Sequence, residues 1–330
     1  MKPISRPRYA LGFVAAAAAL TVLAFPAVSG GQVPARSYWK SLAGSNAVPV
    51  FFMMLSGNSN PFDNAHIVVP AGQFDATVAP VGFMHTFALF DRSASAAIFV
   101  PMGRVGATVT TGVITVAQQA SGFGDPLAEF DVNVIGKKAS KTMPNLLLYE
   151  PGFAVDVLMD LGIPIGEYDA SKPLNLGQNR WFGRVATPVV WQLGPWVPGR
   201  RTTLEAVPSL WLFGPNSDYL GQTLTTDPMF QLEGHVTRDL AKDLWASLDV
   251  TWVTGGKATI GGVAGESLNN LALGYTLGYK INDNIQTTFG YMATVNDNQP
   301  GDLQMDGFKL SIVFGWNPLV EGLKRIKGNE

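Results

Sequence analysis

Large apolar side chains alternate with small or polar ones over much of the second half of the chain. The pattern is clearest in residues 269–295, where large residues take every second position: Leu271, Leu273, Tyr275, Leu277 and Tyr279. After a polar turn at residues 281–284 it resumes with Ile285, Thr287, Phe289 and Tyr291. A period of two residues is typical of a β-strand with two unlike faces. The stretch therefore predicts a β-hairpin whose faces meet different surroundings.

The same alternation divides the chain into about twelve strands. Eight follow Pro151, near residues 153–163, 181–191, 204–212, 230–236, 244–252, 271–279, 285–291 and 308–316. Four precede it, near residues 48–56, 74–90, 94–105 and 128–135. The number is even, as in the up-and-down antiparallel barrels of the outer membrane.

The connections between the predicted strands sort by length. Long loops alternate with short links: the long ones lie near Asp169, Asp218, Gly262 and Asn298, and the short ones near Arg200, Ala241 and Asp283. A soluble sandwich gives no reason for such sorting, whereas outer-membrane barrels have short periplasmic turns and longer outer loops. We therefore predict an all-β transmembrane up-and-down barrel whose long loops face outside. The link at residues 137–148 falls on the periplasmic side and is longer than expected.

A soluble β-fold and a membrane barrel differ in which strand face contacts water. Charged residues such as Lys309 fall on the face opposite the large apolar residues, a parity that fits both folds. A Lys on the lipid face of a barrel costs roughly 2–4 kcal/mol at the bilayer centre. The loop lengths, an export signal and the Trp and Tyr residues at strand ends favour the membrane fold. We therefore expect Tyr275 and Leu277 to face lipid and Thr276 and Gly278 to face the lumen.

The composition fits one large β domain and excludes several classes of function. The 330 residues are 47% hydrophobic and 15% charged, with a net charge of −2, against a usual charged share of about a quarter. There is no Lys- or Arg-rich run, so we expect no nucleic-acid partner. Cys is absent, which excludes disulfides and thiolate metal sites.

The N-terminus predicts export. Basic residues precede an apolar run at residues 11–25, and small residues follow around Ser29, as in a secretory signal peptide. The alternative, an uncleaved membrane anchor, needs about 20 apolar residues, more than this run contains. Cleavage near Ser29 or Gly30 places the mature chain in the outer membrane of a Gram-negative bacterium. The predicted order is signal peptide (1–29), barrel (30–316) and periplasmic tail (317–330).

Four stretches of the second half resemble one known family: "IPIGEYDASKPLNLGQNRWFGR", "LGPWVPGRRTTLEAVPSLWLF", "LTTDPMFQLEGHVTRDL" and "WASLDVTWVTGG". They look like the outer-membrane family labelled for the MetA pathway of phenol degradation, in matching order between Tyr149 and Trp316. The resemblance implies an outer-membrane β-barrel, often regarded as a transporter. The label names a pathway and does not imply that phenol is the substrate.

The chain continues past its last predicted strand, which departs from the pattern of this family. Phe314 and Trp316 are the aromatic residues expected at a terminal signal for the barrel-assembly machinery, yet 14 residues follow them. The strand from Phe308 to Trp316 is thus an internal signal for that machinery. The tail predicts either a short amphipathic helix through Leu319, Leu323 and Ile326 or a frayed periplasmic segment.

Polar residues with lumen parity are the candidate functional residues: Asp156, Asp160, Arg184, Glu205, Glu233, His235, Asp249 and Lys309. The acidic members outnumber the basic ones, which predicts either a pore biased toward cations or an internal network of ion pairs. Glu233 and His235 share one strand face, as a proton-transfer or metal pair would, or as a hydrogen-bonded lumen pair would. Nothing has the spacing of a zinc or phosphate-loop motif. We predict no catalytic residue, metal site or cofactor.

Three classes of function stay open. A passive channel for uptake of small hydrophobic or aromatic compounds is favoured, because twelve strands lie between filled eight-stranded barrels and open sixteen-stranded channels. An outer-membrane enzyme acting on lipid needs a paired Ser and His near the membrane boundary, and the sequence offers none. A closed structural or adhesive barrel is the third class. The expected partners are outer-membrane lipid, the barrel-assembly machinery and a small-molecule solute.

Overall fold

Strands dominate the part of the chain that this computed structural model describes, residues 34–112 and 114–328. The predicted signal peptide, residues 1–29, and the predicted mature start near Gly30 lie outside the described residues. In chain order the elements are β1 (Asn46–Gly57), β2 (Gly72–Val78), β3 (Val81–Leu89), β4 (Arg92–Val100), β5 (Met102–Thr111), β6 (Ile114–Phe123), β7 (Leu127–Ile135), α1 (Met143–Leu147), β8 (Phe153–Gly162), β9 (Phe182–Ala186), β10 (Val189–Gln192), β11 (Thr202–Phe213), β12 (Asn216–Tyr219), β13 (Gln222–Thr226), β14 (Met229–Asp239), β15 (Leu244–Gly255), β16 (Ala258–Ile260), β17 (Val263–Ala264), β18 (Leu268–Lys280), β19 (Ile285–Thr294), β20 (Met305–Trp316) and α2 (Pro318–Gly328).

Sixteen of the described strands form one antiparallel sheet that closes into a barrel. Closure joins β1 to β20 in a continuous ladder from Asn46 opposite Trp316 to Gly57 opposite Met305. Four wall strands consist of two segments each, namely β2 with β3, β4 with β5, β6 with β7, and β9 with β10. Each interruption contains a proline, which cannot donate to the ladder: Pro80, Pro101, Pro126 and Pro188. Counted as continuous wall strands, the barrel has twelve, which confirms the predicted fold class.

The two faces of the wall carry the residues that the alternation predicted. On β18, Tyr275 and Leu277 are 39% and 43% exposed on the outside, whereas Thr276 is 8% exposed on the inside. Gly278 is buried on the same inner face. Exposed apolar residues recur around the outside of the wall, among them Phe52, Leu210, Val236, Leu248, Phe289 and Phe314. Such an apolar surface is stable in contact with lipid, whereas its exposure to water is energetically unfavourable.

The two ends of the barrel differ in their connections. One end, called here the long-loop end, carries residues 58–71, 163–181, 214–228, 256–267 and 295–304. The opposite, short-turn end carries residues 90–91, 136–152, 193–201, 240–243 and 281–284. The long link 136–152 contains α1, where Thr142 caps the helix by accepting from the amide of Asn145. No helix in residues 34–112 and 114–328 is long and apolar enough to cross a bilayer.

Strand bounds in the first half differ from the predicted ones. The third predicted strand ends at Val105 and the fourth begins near Ala128, but in the structure β5 continues to Thr111 and β6 returns from Ile114. On the hairpin face that carries Arg104, most exposed residues are small or polar, while Val105 behind it is buried. Ile114, Val116 and Phe123 are the exposed large apolar residues of the hairpin. The β5–β6 hairpin therefore lacks the regular lipid-facing apolar alternation that marks the other strands.

A helix follows the last strand. α2 spans Pro318–Gly328, the first of the two alternatives for the tail. Asn317 precedes it, and its side-chain oxygen accepts from the amide of Leu319, as a capping residue does. The Asn317 side-chain nitrogen donates to Ser45 Oγ over 2.9 Å. The start of the helix is thus attached to the chain just before β1.

Candidate functional site: a filled, charged lumen

Each of the eight residues predicted for the lumen lies inside the barrel. Seven are at most 5% exposed: Asp156, Asp160, Arg184, Glu205, Glu233, His235 and Asp249. Lys309 is partly buried. Their part in ion selectivity stays a prediction.

A buried ion-pair network crosses the lumen. Arg184 on β9 lies 2.5 Å from Asp160 on β8 and 3.4 Å from Glu233 on β14, and all three side chains are fully buried. The guanidinium also lies 5.1 Å from the centre of the Trp211 ring. Asp160, Arg184 and Trp211 are successive partners across β8, β9 and β11. Because an unpaired buried charge is costly, Arg184 holds two carboxylates that would otherwise repel each other.

Two acidic residues on β7 also lie in the lumen and were missed by the sequence prediction. Glu129 and Asp131 on β7 are buried, and Glu129 lies directly opposite Asp160 in the β7–β8 ladder. Their alternation with Phe130 and Val132 is visible in the sequence. However, the strand pattern of the first half is too irregular to predict from the sequence that Glu129 and Asp131 point into the lumen.

His235 pairs with Asp249 across β14 and β15. Its Nδ1 lies 2.8 Å from Asp249 Oδ1, and that carboxylate also accepts from Ser247 and Thr276. Glu233, the partner expected from the sequence, instead accepts from Gln231 and Arg184. The arrangement orders the lumen with hydrogen bonds. Among the described residues, no three His, Asp or Glu side chains are grouped to hold a metal.

A segment ahead of the first strand enters the short-turn end of the lumen. Residues 34–45, called here the inner plug, hold Arg36, whose Nη1 lies 2.6 Å from Asp239 Oδ1. The Arg36 guanidinium is stacked between Trp39, at 4.2 Å from the ring centre, and Trp245, at 4.6 Å. Trp39 donates to Glu205 over 2.8 Å. Arg36 and Trp39 thus fix the plug to the wall.

Lys40 makes the second ionic attachment of the inner plug. Its Nζ lies 3.1 Å from Asp131 and also contacts Asp156. Asp156 further accepts from Asn133 over 2.8 Å. Two of the predicted pore acids, Asp156 and Glu205, therefore face the plug. The sequence signal for this was the pair of cations four residues apart, Arg36 and Lys40, which the strand analysis passed over because they precede β1.

Two long loops fill the opposite end of the lumen. Residues 58–71 and 163–181, called here the outer plug, are joined by Arg180, which lies 3.2 Å from Asp63 and donates to Thr226 over 2.7 Å. Asp125, at the break between β6 and β7, accepts from the amides of Gly166 and Gln178. The loops are thus tied to each other and to the wall.

His66 and Asp169 of the outer plug have lowered pKa values. Burial lowers the pKa of His66 below its ordinary value of 6.5, and the nearby Asp63 offsets only part of that effect. His66 is therefore neutral at pH 7. Hydrogen bonds from Ser171 and Lys172 lower the pKa of the exposed Asp169 to about 2. The plug thus combines a buried neutral imidazole with a persistently charged surface carboxylate.

Comparison with known proteins gives one family and one close fold. The family described as "Putative MetA-pathway of phenol degradation" matches residues 57–312, which extends the predicted resemblance into the first half of the chain. The COG4313 outer membrane channel from Pseudomonas putida F1 is 16% identical, with a TM-score of 0.70 over 87% of this chain and 100% of that one. No curated protein sequence matches the chain.

Two further solved structures are similar more loosely. The transport unit of the autotransporter AIDA-I from Escherichia coli has a TM-score of 0.46 at 10% identity, over 82% of this chain and 90% of that one. The KdgM porin in complex with disordered oligogalacturonate has a TM-score of 0.43 at 8% identity, over 82% and 99%. At these values neither likeness carries an argument about function.

Proposed function

The chain belongs to the family of the MetA pathway of phenol degradation, and we propose that it is an outer-membrane channel for passive uptake of small hydrophobic or aromatic compounds. One observation carries this proposal. The lumen is filled by two segments of the chain itself, the inner and outer plugs, beside the side chains of the wall. Chain segments held by side-chain pairs and a few backbone hydrogen bonds are able to leave, whereas a wall packed with its own side chains has no room to open.

The plug contacts indicate how the channel would open. Arg36 and Lys40 neutralise carboxylates of the wall, among them Asp131, Asp156 and Asp239. Departure of the inner plug exposes these carboxylates to water. The open lumen then carries an acidic lining and prefers cations, as charged rings at a constriction do.

A permanently closed barrel is the rival function, because a filled lumen also suits a structural or adhesive protein. The two differ in conductance. A channel passes ions through a planar bilayer in brief openings at least, whereas a closed barrel passes none. An enzyme is not proposed, since most acidic residues of the lumen are paired with Arg, Lys or His side chains: Asp131, Asp156, Asp160, Glu233, Asp239 and Asp249.

The test locks the inner plug in place. The chain has no Cys, and Leu42 is a bridge partner of Ser140 in parallel pairing, so Leu42→Cys with Ser140→Cys places two thiols in neighbouring backbone positions. We expect oxidation of this variant to suppress the conductance and reduction to restore it. The two single Cys variants are the controls and should conduct like the native chain in both states.

The aromatic preference is tested by current block. Phenol added to the conducting protein should reduce the ionic current in a saturable way, whereas glucose at the same concentration should not. Absence of any conductance in the native chain would support the closed barrel. Equal block by both solutes would remove the aromatic preference and keep the channel.

A further inference from the structure

A cavity lies inside the barrel beside the outer plug. Its walls come from β1, β14, β15, β18, β19 and β20, and His66 and Leu303 of the long loops complete them. The cavity has a volume of about 40 Å³, which is room for about three waters at 10–15 Å³ each. A ring-sized ligand enters only if the flexible Met side chains of the lining move aside.

The lining is mainly apolar. Leu55, Val253, Met292, Leu303 and Met305 provide most of the wall, and all five are buried. Met side chains adapt to ligands of different shape. A lining of this kind with a few polar groups is typical of sites for small organic molecules.

Two polar atoms of the lining lack partners. Thr251 Oγ1 and His66 Nδ1 have no hydrogen-bond partner among the described residues, although the two residues are only 5% and 6% exposed. The neighbouring polar side chains Gln231 and Asn270 do have partners. Gln231 accepts from Trp211 and donates to Glu233, and Asn270 donates to the backbone carbonyl of Leu303. Buried polar atoms are nearly always hydrogen-bonded, so the Thr251 hydroxyl and the His66 imidazole can each form a hydrogen bond with a polar group of a ligand in the cavity.

The charges near the cavity favour an uncharged ligand. Lys309 lines the cavity and interacts electrostatically with Glu233 and Asp249. Gln231, also in the lining, donates to Glu233. The cation therefore already has acidic neighbours, and a carboxylate in the cavity would meet their repulsion.

We propose that this cavity binds one uncharged, single-ring molecule that carries a hydroxyl group. The ring packs against Leu55, Val253, Met292 and Met305, and the hydroxyl exchanges hydrogen bonds with Thr251 and His66. This inference rests on the proposed channel function and makes the cavity a binding site on the path through the lumen.

The test compares phenol, toluene and benzoate as probes. Phenol and toluene have nearly the same shape and differ in the hydroxyl, whereas benzoate adds a charge. Equilibrium dialysis against the purified full chain in detergent should show saturable binding in the order phenol, toluene, benzoate. Binding of benzoate as tight as that of phenol would overturn the uncharged class.

Two substitutions locate the binding. Thr251→Val keeps the side-chain shape and removes the hydroxyl, so we expect phenol to bind about two- to tenfold more weakly and toluene to bind unchanged. Thr254→Val is the matched control, since Thr254 lies on the same strand with opposite parity and does not line the cavity. Ala272→Leu fills the cavity and should abolish saturable binding of both probes. Phenol binding that survives both Thr251→Val and Ala272→Leu would overturn the site.

The binding and current measurements separate the two proposals. Saturable binding that is sensitive to Thr251→Val, in a protein that never conducts, removes the channel and keeps the site. Conductance with no saturable phenol binding keeps the channel and removes the site.

Discussion

His66 gives the outer plug a dependence on pH. Its backbone has φ of 50° and its imidazole is buried, and burial lowers its pKa below 6.5. When the loop opens, the imidazole titrates near its ordinary value, so the open state binds more protons as pH falls below 6.5. The closed plug therefore loses stability as the pH drops from 6.5 through the lowered pKa, and keeps it above 6.5.

Hydrogen exchange checks this expectation. Residues 58–71 should exchange faster at pH 5 than at pH 8, after correction for the intrinsic chemical rate. His66→Asn is the control, because Asn also tolerates positive φ and does not titrate. Asp63, Asp306 and Lys309 lie nearby and remain in the control. A pH response of the same size in His66→Asn would assign the effect to one of them.

Gly278 makes room for a tryptophan that holds the inner plug. A Cβ on Gly278 would lie 2.0 Å from the Trp245 ring, and Trp245 stacks on Arg36. Gly278→Ala must therefore shift the ring, at a cost of about 1–3 kcal/mol for overpacking. Urea unfolding followed by tryptophan fluorescence measures the loss. Gly106→Ala is the matched control, because its Cβ would have no neighbour nearer than 3.9 Å.

At the residue scale, the sequence was enough to predict which face of the wall a side chain points to, but not which other side chain it contacts. Alternation was enough to place Tyr275 outside and Thr276 inside, since direction in a strand depends only on parity. It gave no sign that Trp39 donates to Glu205, because the two lie 166 positions apart. It also offered Glu233 as the partner of His235, and the cross-strand neighbour Asp249 takes that place at Nδ1. Which side chains become neighbours depends on the pairing register of adjacent strands, and the apolar–polar alternation does not determine that register.

At the element scale, the inner plug depends on its buried ion pairs. Lys40→Met leaves Asp131 and Asp156 buried without their cation, which costs about 3–5 kcal/mol when one partner of a buried pair is removed. We expect the plug to leave the lumen more often, with longer openings in planar bilayers and faster hydrogen exchange at residues 34–45. Lys138→Met is the matched control, because its pair with Asp91 is exposed on both sides and such pairs contribute little. Equal effects of the two substitutions would contradict the role of Lys40.

Most strands were predictable because the bilayer imposes the same pattern on each. The eight segments after Pro151 match β8 to β20 once the small sheet of β12, β13, β16 and β17 is set aside as loop structure. The β5–β6 hairpin was truncated in the prediction, since most residues on its outer face are small or polar and so give no regular lipid-facing alternation. The inner plug is irregular, so no periodicity reveals it.

At the scale of the whole molecule, the orientation in the membrane follows from the two kinds of connection. Outer-membrane barrels have short periplasmic turns and long outer loops, so the long-loop end should face outside and both β1 and β20 should meet the periplasm at Asn46 and Trp316. Val263, beside the predicted outer position Gly262, is 76% exposed, and Ala241 is exposed at a short turn. Each therefore offers a reactive position on one side.

Thiol labelling on intact cells tests this orientation. The native chain has no Cys, so Val263→Cys and Ala241→Cys each introduce one reactive thiol on an otherwise silent background. A maleimide that cannot cross the outer membrane should label Val263→Cys in intact cells and Ala241→Cys only after the membrane is opened. The unmodified chain gives the blank, and labelling of both variants in opened cells shows that both thiols are reactive. Labelling of Ala241→Cys alone in intact cells would invert the orientation and place the outer plug, with its cavity, on the periplasmic side.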